Sequence, residues 1–270
     1  MLIKRVITAV ILIPLVLLAI FYLPQHAFEA AVGLVMLGCA WEWTRLMAMK
    51  NLVERALYVL LVAVLCYAIV WVAMGYFLYA VMLGILALIL VVHRYQTTQV
   101  PFKLSEFWWY FIGIVMFVAS WYSINIIRFK VGGSSHLLIL LLIIWFTDTT
   151  AYFVGKKFGK DKLASVVSPN KSWQGVKGAA LAILVFTIMQ GVFYRTNFPI
   201  FLATVLVNMA TFVFAIYGDL FESMVKRMAD CKDSGGLLPG HGGLLDRLDS
   251  LFFAAPCYAT GLLLMKLYFG

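Results

Sequence analysis

The sequence predicts an all-α, polytopic integral membrane protein of about nine transmembrane helices, with a polar site facing the cytoplasm. Three observations predict it. Of 270 residues, 64% are hydrophobic and 12% charged, and the mean hydropathy is +0.98, values outside the range of soluble domains. The apolar residues gather in runs that match a bilayer crossing, about 20 residues each. Lys and Arg fall almost entirely on alternate connections between those runs. Spans of that length use up the chain, so its chemistry belongs to helix ends and short loops.

The first expected span, Val6 to Leu23, follows Lys4 and Arg5. Its basic start and apolar middle are those of a signal peptide, but no small-residue cleavage site follows, so a retained helix is expected. Ala27 to Thr44 is the second span. Ala56 to Val92 is one apolar stretch of 37 residues, too long for a single crossing, and is divided near Gly75 into Ala56 to Met74 and Tyr76 to Val92. The remaining spans are Phe107 to Ile127, Leu137 to Val154, Gly178 to Tyr194, Ile200 to Tyr217 and Leu251 to Leu267. The chain is expected to be a single integral membrane domain over 1–270, with 1–130 supplying N-terminal spans and 131–270 the catalytic spans and loops.

Placing the N-terminus inside puts 17 of the 21 Lys and Arg on the cytoplasmic side and leaves Arg128, Lys130, Arg195 and Lys266 outside. Cytoplasmic loops retain positive charge, so this split predicts a cytoplasmic N-terminus and an external C-terminus in a multi-pass protein of the inner or plasma membrane. A net charge of +9 on so apolar a chain suits anionic headgroups or phosphorylated ligands, not nucleic acid. Cys39, Cys66 and Cys257 fall in spans and Cys231 in a loop, without C-x-x-C spacing, and read as packing residues. No internal repeat supports an inverted-repeat transporter.

Two polar segments hold 18 of the 33 charged residues. The first, Trp145 to Gly178, begins with Asp148 near the end of an apolar helix, where an ionisable group is costly and faces a partner or a wet cavity. A basic loop is expected next, with Lys156, Lys157, Lys160 and Lys162 around Gly155 and Gly159. It is not a Walker A loop, because three residues separate the glycines and no Ser or Thr follows Lys160. Ser168, Pro169, Lys171 and Ser172 then form a polar turn ahead of Trp173, by itself a weak phosphate signal.

The second segment, Asp219 to Ser250, holds six of the twelve acids. If the preceding span continues as a helix, Asp219, Glu222 or Ser223, Lys226 and Asp230 share one face. Ser234 to Gly243 is glycine-rich and contains Pro239, which excludes a regular helix and lets backbone N–H groups approach an anion. Asp246 and Asp249, three residues apart at an expected helix start, point the same way with Arg247 beside them. Asp219, Asp246 and Asp249 brought together would repel one another unless a cation neutralises them, and hard oxygen ligands favour magnesium. A salt-bridge network with Lys226, Arg227 and Arg247 is the alternative. His241 could bind phosphate, move a proton or cap a turn.

The run Ser223-x-x-Lys226-Arg227-x4-Lys232-Asp233-x-Gly235-x2-Leu238-Pro239-x-His241-Gly242-Gly243-x2-Asp246-Arg247-x-Asp249 resembles the signature of the bacterial phosphatidate cytidylyltransferases, the CDP-diacylglycerol synthases. Asp148, Ala151-Tyr152, Gly155, Phe158-Gly159-Lys160, Ser168-Pro169-x-Lys171-Ser172-x2-Gly175 and Trp41-Glu42-Trp43 are similar to the same family. Gln174 departs from it, since glutamate is common there. The D-G-x-x-A-R stretch of the CDP-alcohol phosphotransferases is missing.

The resemblance implies transfer of the cytidylyl group of CTP to phosphatidic acid, giving CDP-diacylglycerol and pyrophosphate, with one or two divalent cations, magnesium first. The attacking phosphate oxygen is already ionised at neutral pH, so the site chiefly has to neutralise charge. Asp219, Asp246 and Asp249 are the expected metal ligands, and with Lys226, Arg227 and His241 the expected catalytic set. Ser168, Lys171, Ser172, Ser223, Lys232, Asp233, Gly242, Gly243 and Arg247 are the expected substrate-binding residues. CTP, phosphatidic acid and membrane lipids are the expected partners; nucleic acid is not, and homo-oligomerisation is left open. Two other readings stay in view: a CTP-dependent polyprenol or phytol kinase, and an ion-coupled transporter. Charge gathered at helix ends, not at the bilayer midplane, argues against the transporter.

Overall fold

The computed structural model describes residues 2–71, 74–98, 104–237 and 242–269. Nine helices follow in order: α1 (Leu2–Tyr22), α2 (Gln25–Leu46), α3 (Leu52–Ala68), α4 (Met74–Thr98), α5 (Glu106–Ile126), α6 (Gly133–Phe158), α7 (Trp173–Tyr194), α8 (Phe198–Met228) and α9 (Asp249–Phe269). Every expected span lies on one of them. The stretch from Ala56 to Val92 is indeed two helices, α3 closing in a 3-10 turn over Ile69–Trp71 before α4 begins. A short antiparallel hairpin of β1 (Lys162–Ala164) and β2 (Ser168–Ser172) is the one sheet among the described residues, and hydropathy gave no sign of it.

Helices α3 to α9 are each long and apolar enough to cross a membrane. That makes seven of nine. Among the described residues α1 contributes a shorter apolar stretch, Val10–Tyr22, and α2 carries Glu29, Glu42 and Arg45. Exposed Leu57, Leu60, Val64, Leu83 and Leu90 on α3 and α4 show why so many large apolar side chains lie outside a core: their solvent is lipid.

The chain folds as two compact units, and both draw on sequence from either side of residue 130. Unit 1 comprises Met1–Met74, Lys103–Leu138 and Val225–Leu248. Its core is built on α5, of which 13 residues are buried. Four of these are aromatic, and two indole N–H groups of this core are satisfied: Trp43 Nε1 donates to Trp109 O at 3.3 Å, and Trp121 Nε1 to Glu29 O at 2.9 Å. Pro24 precedes α2 with extended backbone, and Asn51 caps α3 by accepting from Val53 N at 2.9 Å.

Unit 2 comprises Gly75–Phe102, Ile139–Met224 and Asp249–Gly270. Ten consecutive residues of α9, Ser250 to Ala259, are buried there, with Phe253 packed on Phe221 at 5.3 Å between ring centroids. Asn208 on α8 donates to Thr187 Oγ1 at 2.9 Å and Gln190 Oε1 at 3.0 Å on α7, a polar tie between helices that lack a hydrophobic drive to associate in lipid.

Candidate active site

In unit 1 the segment after α8 is organised by two carboxylates. The helix ends with Cys231 N donating to Lys226 O at 3.0 Å and Asp230 in a left-handed conformation at φ 51°, so Asp230 leaves the helical face expected to hold it. Asp246 sits in a separate 3-10 turn, Leu245–Arg247, while α9 starts at Asp249; the two acids do not share one helix start. Asp246 Oδ2 accepts from Ser234 N at 3.0 Å and Gly243 N at 2.9 Å, and Oδ1 accepts from Lys226 Nζ at 2.7 Å.

Glu42, on α2, is the second organiser. Its side chain is buried, with the residue 2% exposed, so its charge has to be met by protein donors. Oε2 accepts from Leu245 N at 2.8 Å and Ser234 Oγ at 3.2 Å, and Oε1 accepts from Leu237 N at 3.3 Å. Gly235 and Gly243 make that approach possible, because a Cβ on either would collide with the Glu42 carboxylate. Arg227, Lys232, Asp233 and Arg247 are exposed around this loop, while Gly242 is half-buried with φ 82°. Leu238, Pro239 and His241 lie outside the described residues.

In unit 2 the carboxylates are differently supplied. Lys171 Nζ pairs with Asp219 Oδ2, and Ser223 Oγ donates to Asp219 Oδ1 at 3.3 Å one helical turn away. Asp249 opens α9, where backbone N–H groups favour an anion, and accepts from Ser250 N at 2.6 Å. A Cβ on Gly218 would lie 2.6 Å from Asp249 O, so only glycine lets α8 pass this close to the start of α9. Asp249 interacts electrostatically with Asp219, Glu222, Asp148 and Lys171. Asp249 thus lies among three further carboxylates, with the Lys171 ammonium in reach.

The hairpin positions Lys171. Gly155 to Phe158 is the last turn of α6, not a loop, and Ser168 to Ser172 is strand β2, not a turn. Lys156 and Lys157 therefore sit at a helix C-terminus, where cations offset the exposed carbonyls. Ser168 pairs with Ala164, and the buried Ser172 caps α7 by accepting from Gly175 N at 3.2 Å. Gln174 locks the other end: its Oε1 accepts from Lys160 N and Asp161 N, both at 3.1 Å, and its Nε2 donates to Asp161 Oδ2 at 2.6 Å. The amide suits a neighbouring aspartate in a way a glutamate could not.

Oxygen donors of this kind, carboxylates and the Ser223 hydroxyl, are those a hard divalent cation takes. Among the described residues, however, no three His, Cys, Asp or Glu side chains are already drawn together as a ligand set, and an ammonium pairs with Asp219. Glu42 entered the sequence reading only within the Trp41-Glu42-Trp43 resemblance and was given no role there; the further signal available was an acid inside an apolar run.

The profile of the cytidylyltransferase family matches residues 3–265. The chain belongs to the cytidylyltransferase family. It is therefore an enzyme of the nucleotidyltransferase type, and the match spans both units. Among its relatives, the phosphatidate cytidylyltransferase of Pseudomonas aeruginosa is 36% identical over 268 residues, covering 96% of each chain. That of Haemophilus influenzae is 32% identical over 287 residues, covering 96% of this chain and 98% of its own. That of Thermotoga maritima is 32% identical over 265 residues, covering 93% of each.

Proposed function

We propose that the chain transfers the cytidylyl group of CTP to phosphatidic acid, releasing pyrophosphate and forming CDP-diacylglycerol for phospholipid synthesis. Family membership and the names of the relatives support the reaction. The observation that carries the mechanism is the unit 2 cluster, in which Asp148, Asp219 and Asp249 lie close enough to one another and to the Lys171 ammonium to interact. Such an excess of negative charge suits a cation arriving with a polyphosphate.

Asp219 and Asp249 would hold magnesium, while Asp246, met by Lys226 and two backbone N–H groups, would hold the loop in shape. When bound, the metal would neutralise phosphate oxygens and the charge growing on the leaving group. Lys171, which pairs with Asp219, would hold a phosphate oxygen of the substrate. Ser223 orients the Asp219 carboxylate. Exposed Arg227, Lys232 and Arg247 present charge to the anionic substrates. Because phosphatidate is ionised at neutral pH, no side chain has to act as a strong general base. The site is proposed to face the cytoplasm of an inner-membrane protein, with the C-terminus outside, as the Lys and Arg distribution supports.

The test is purified protein with phosphatidate, magnesium and CTP labelled at either the α- or the γ-phosphate. Label from the α-phosphate in lipid, with pyrophosphate released in equal amount, is the expected result. Lipid labelled from the γ-phosphate would replace this reading by a kinase, and CTP-independent counterflow in liposomes by a transporter.

A further inference from the structure

We propose that Glu42 is a positioning residue for the reaction: its buried carboxylate sets the conformation of the glycine-rich loop that carries Lys232, Asp233, Gly242 and Asp246. The inference rests on the proposed function for its kinetic consequence, but not for its structural one. Three donors from separate points of the loop, Ser234 Oγ, Leu237 N and Leu245 N, converge on this one side chain 192 or more residues away in sequence. Ser234 is shared: its hydroxyl donates to Glu42 and its N–H to Asp246. Leu245 N, which also donates to Glu42, adjoins Asp246 itself. A shift of the Glu42 carboxylate therefore moves both backbone neighbours of the Asp246–Lys226 pair.

The geometry also separates positioning from simple packing. A Cβ on Gly235 would strike the Glu42 carboxylate, and one on Gly243 would strike Ser234 Oγ, which donates to Glu42, and then Glu42 Oε2 itself, so the loop closes on the hydrogen-bonded carboxylate at both points. A neutral isostere cannot substitute fully. Glutamine offers one oxygen, and its NH2 group would face at least one backbone N–H donor, leaving that donor unsatisfied in a buried setting.

The experiment compares wild type with Glu42→Gln, Glu42→Asp and Gly243→Ala, the last crowding the same carboxylate from the loop side. Hydrogen exchange over 232–248, thermal stability in detergent, and kcat and KM for CTP are measured on each purified protein. Glu42→Gln is expected to raise exchange in 232–248 by about 10-fold or more and to lower kcat/KM for CTP by about 10- to 100-fold, while exchange in α7 and α9 stays as in wild type. Glu42→Asp, which keeps the charge but shortens the reach, is expected to fall between the two, and Gly243→Ala to reproduce Glu42→Gln. Unchanged exchange in 232–248, or an increase spread evenly over the protein with kinetic constants intact, would overturn the proposal. Failure of wild type to transfer cytidylyl groups would refute the proposed function and leave the loop-exchange comparison standing.

Discussion

Unit 1 and unit 2 each bury acidic side chains among helices, and they treat them in opposite ways. In unit 1, Glu42 and Asp246 are met by backbone N–H groups, a hydroxyl and Lys226, so their charges are spent within the fold and hold a loop in shape. In unit 2, Asp148, Asp219 and Asp249 share a neighbourhood in which Lys171 interacts with all three. The difference teaches what each set is for. Saturated carboxylates organise structure, whereas a surplus of negative charge is kept in a fold only where a cation is brought to it.

The largest expected effect breaks the unit 2 side of that contrast. Asp219→Asn and Asp249→Asn should each reduce CDP-diacylglycerol formation by about 1,000-fold or more while the protein still inserts and purifies, and chelating divalent cations should do the same to wild type. Magnesium titration of the residual activity checks it; wild-type magnesium dependence in either variant would sink the ligand assignment. Asp246→Asn comes next, with a loss of about 100-fold, because an amide there loses the Lys226 pair and sets an NH2 group against backbone donors. Its signature is different: stability should fall with activity, and the magnesium requirement of what remains should not move.

Smaller effects separate packing from charge. Asn208→Ala removes both ties between α7 and α8 and should cost about 1 kcal/mol of stability in detergent with KM for CTP unchanged. A changed KM would mean that unit 2 packing and its charge cluster cannot be treated apart. Gln174→Glu is the mildest. It places a carboxylate against Asp161, but at an exposed site where solvent screens the repulsion, so the loss should be below about 1 kcal/mol. Restoration by Asp161→Asn in the double variant checks the contact.

Most of the fold was legible because bilayer length and hydropathy are local properties. Ala56 to Val92 shows it best, a stretch too long for one crossing and correctly divided. Helix ends were less legible: the run Gly155 to Phe158 looks like a loop by composition, yet hydrogen bonding carries α6 through it. The residues of the signature could be singled out from their spacing, but their partners could not. Lys171 pairs with Asp219 across 48 residues, and nothing in either segment names the other. Gln174 was visible only as an oddity until Asp161 supplied its reason.

By itself, then, the sequence determined that this chain lives in a membrane, where its helices run, and which segments concentrate its charge, since each follows from composition and spacing within a short window. Only the tertiary structure decided that its acids divide into two kinds. Whether a carboxylate is satisfied depends on donors brought from distant segments by packing, and Glu42 shows it: an acid in an apolar run until the loop of Ser234, Leu237 and Leu245 folds around it.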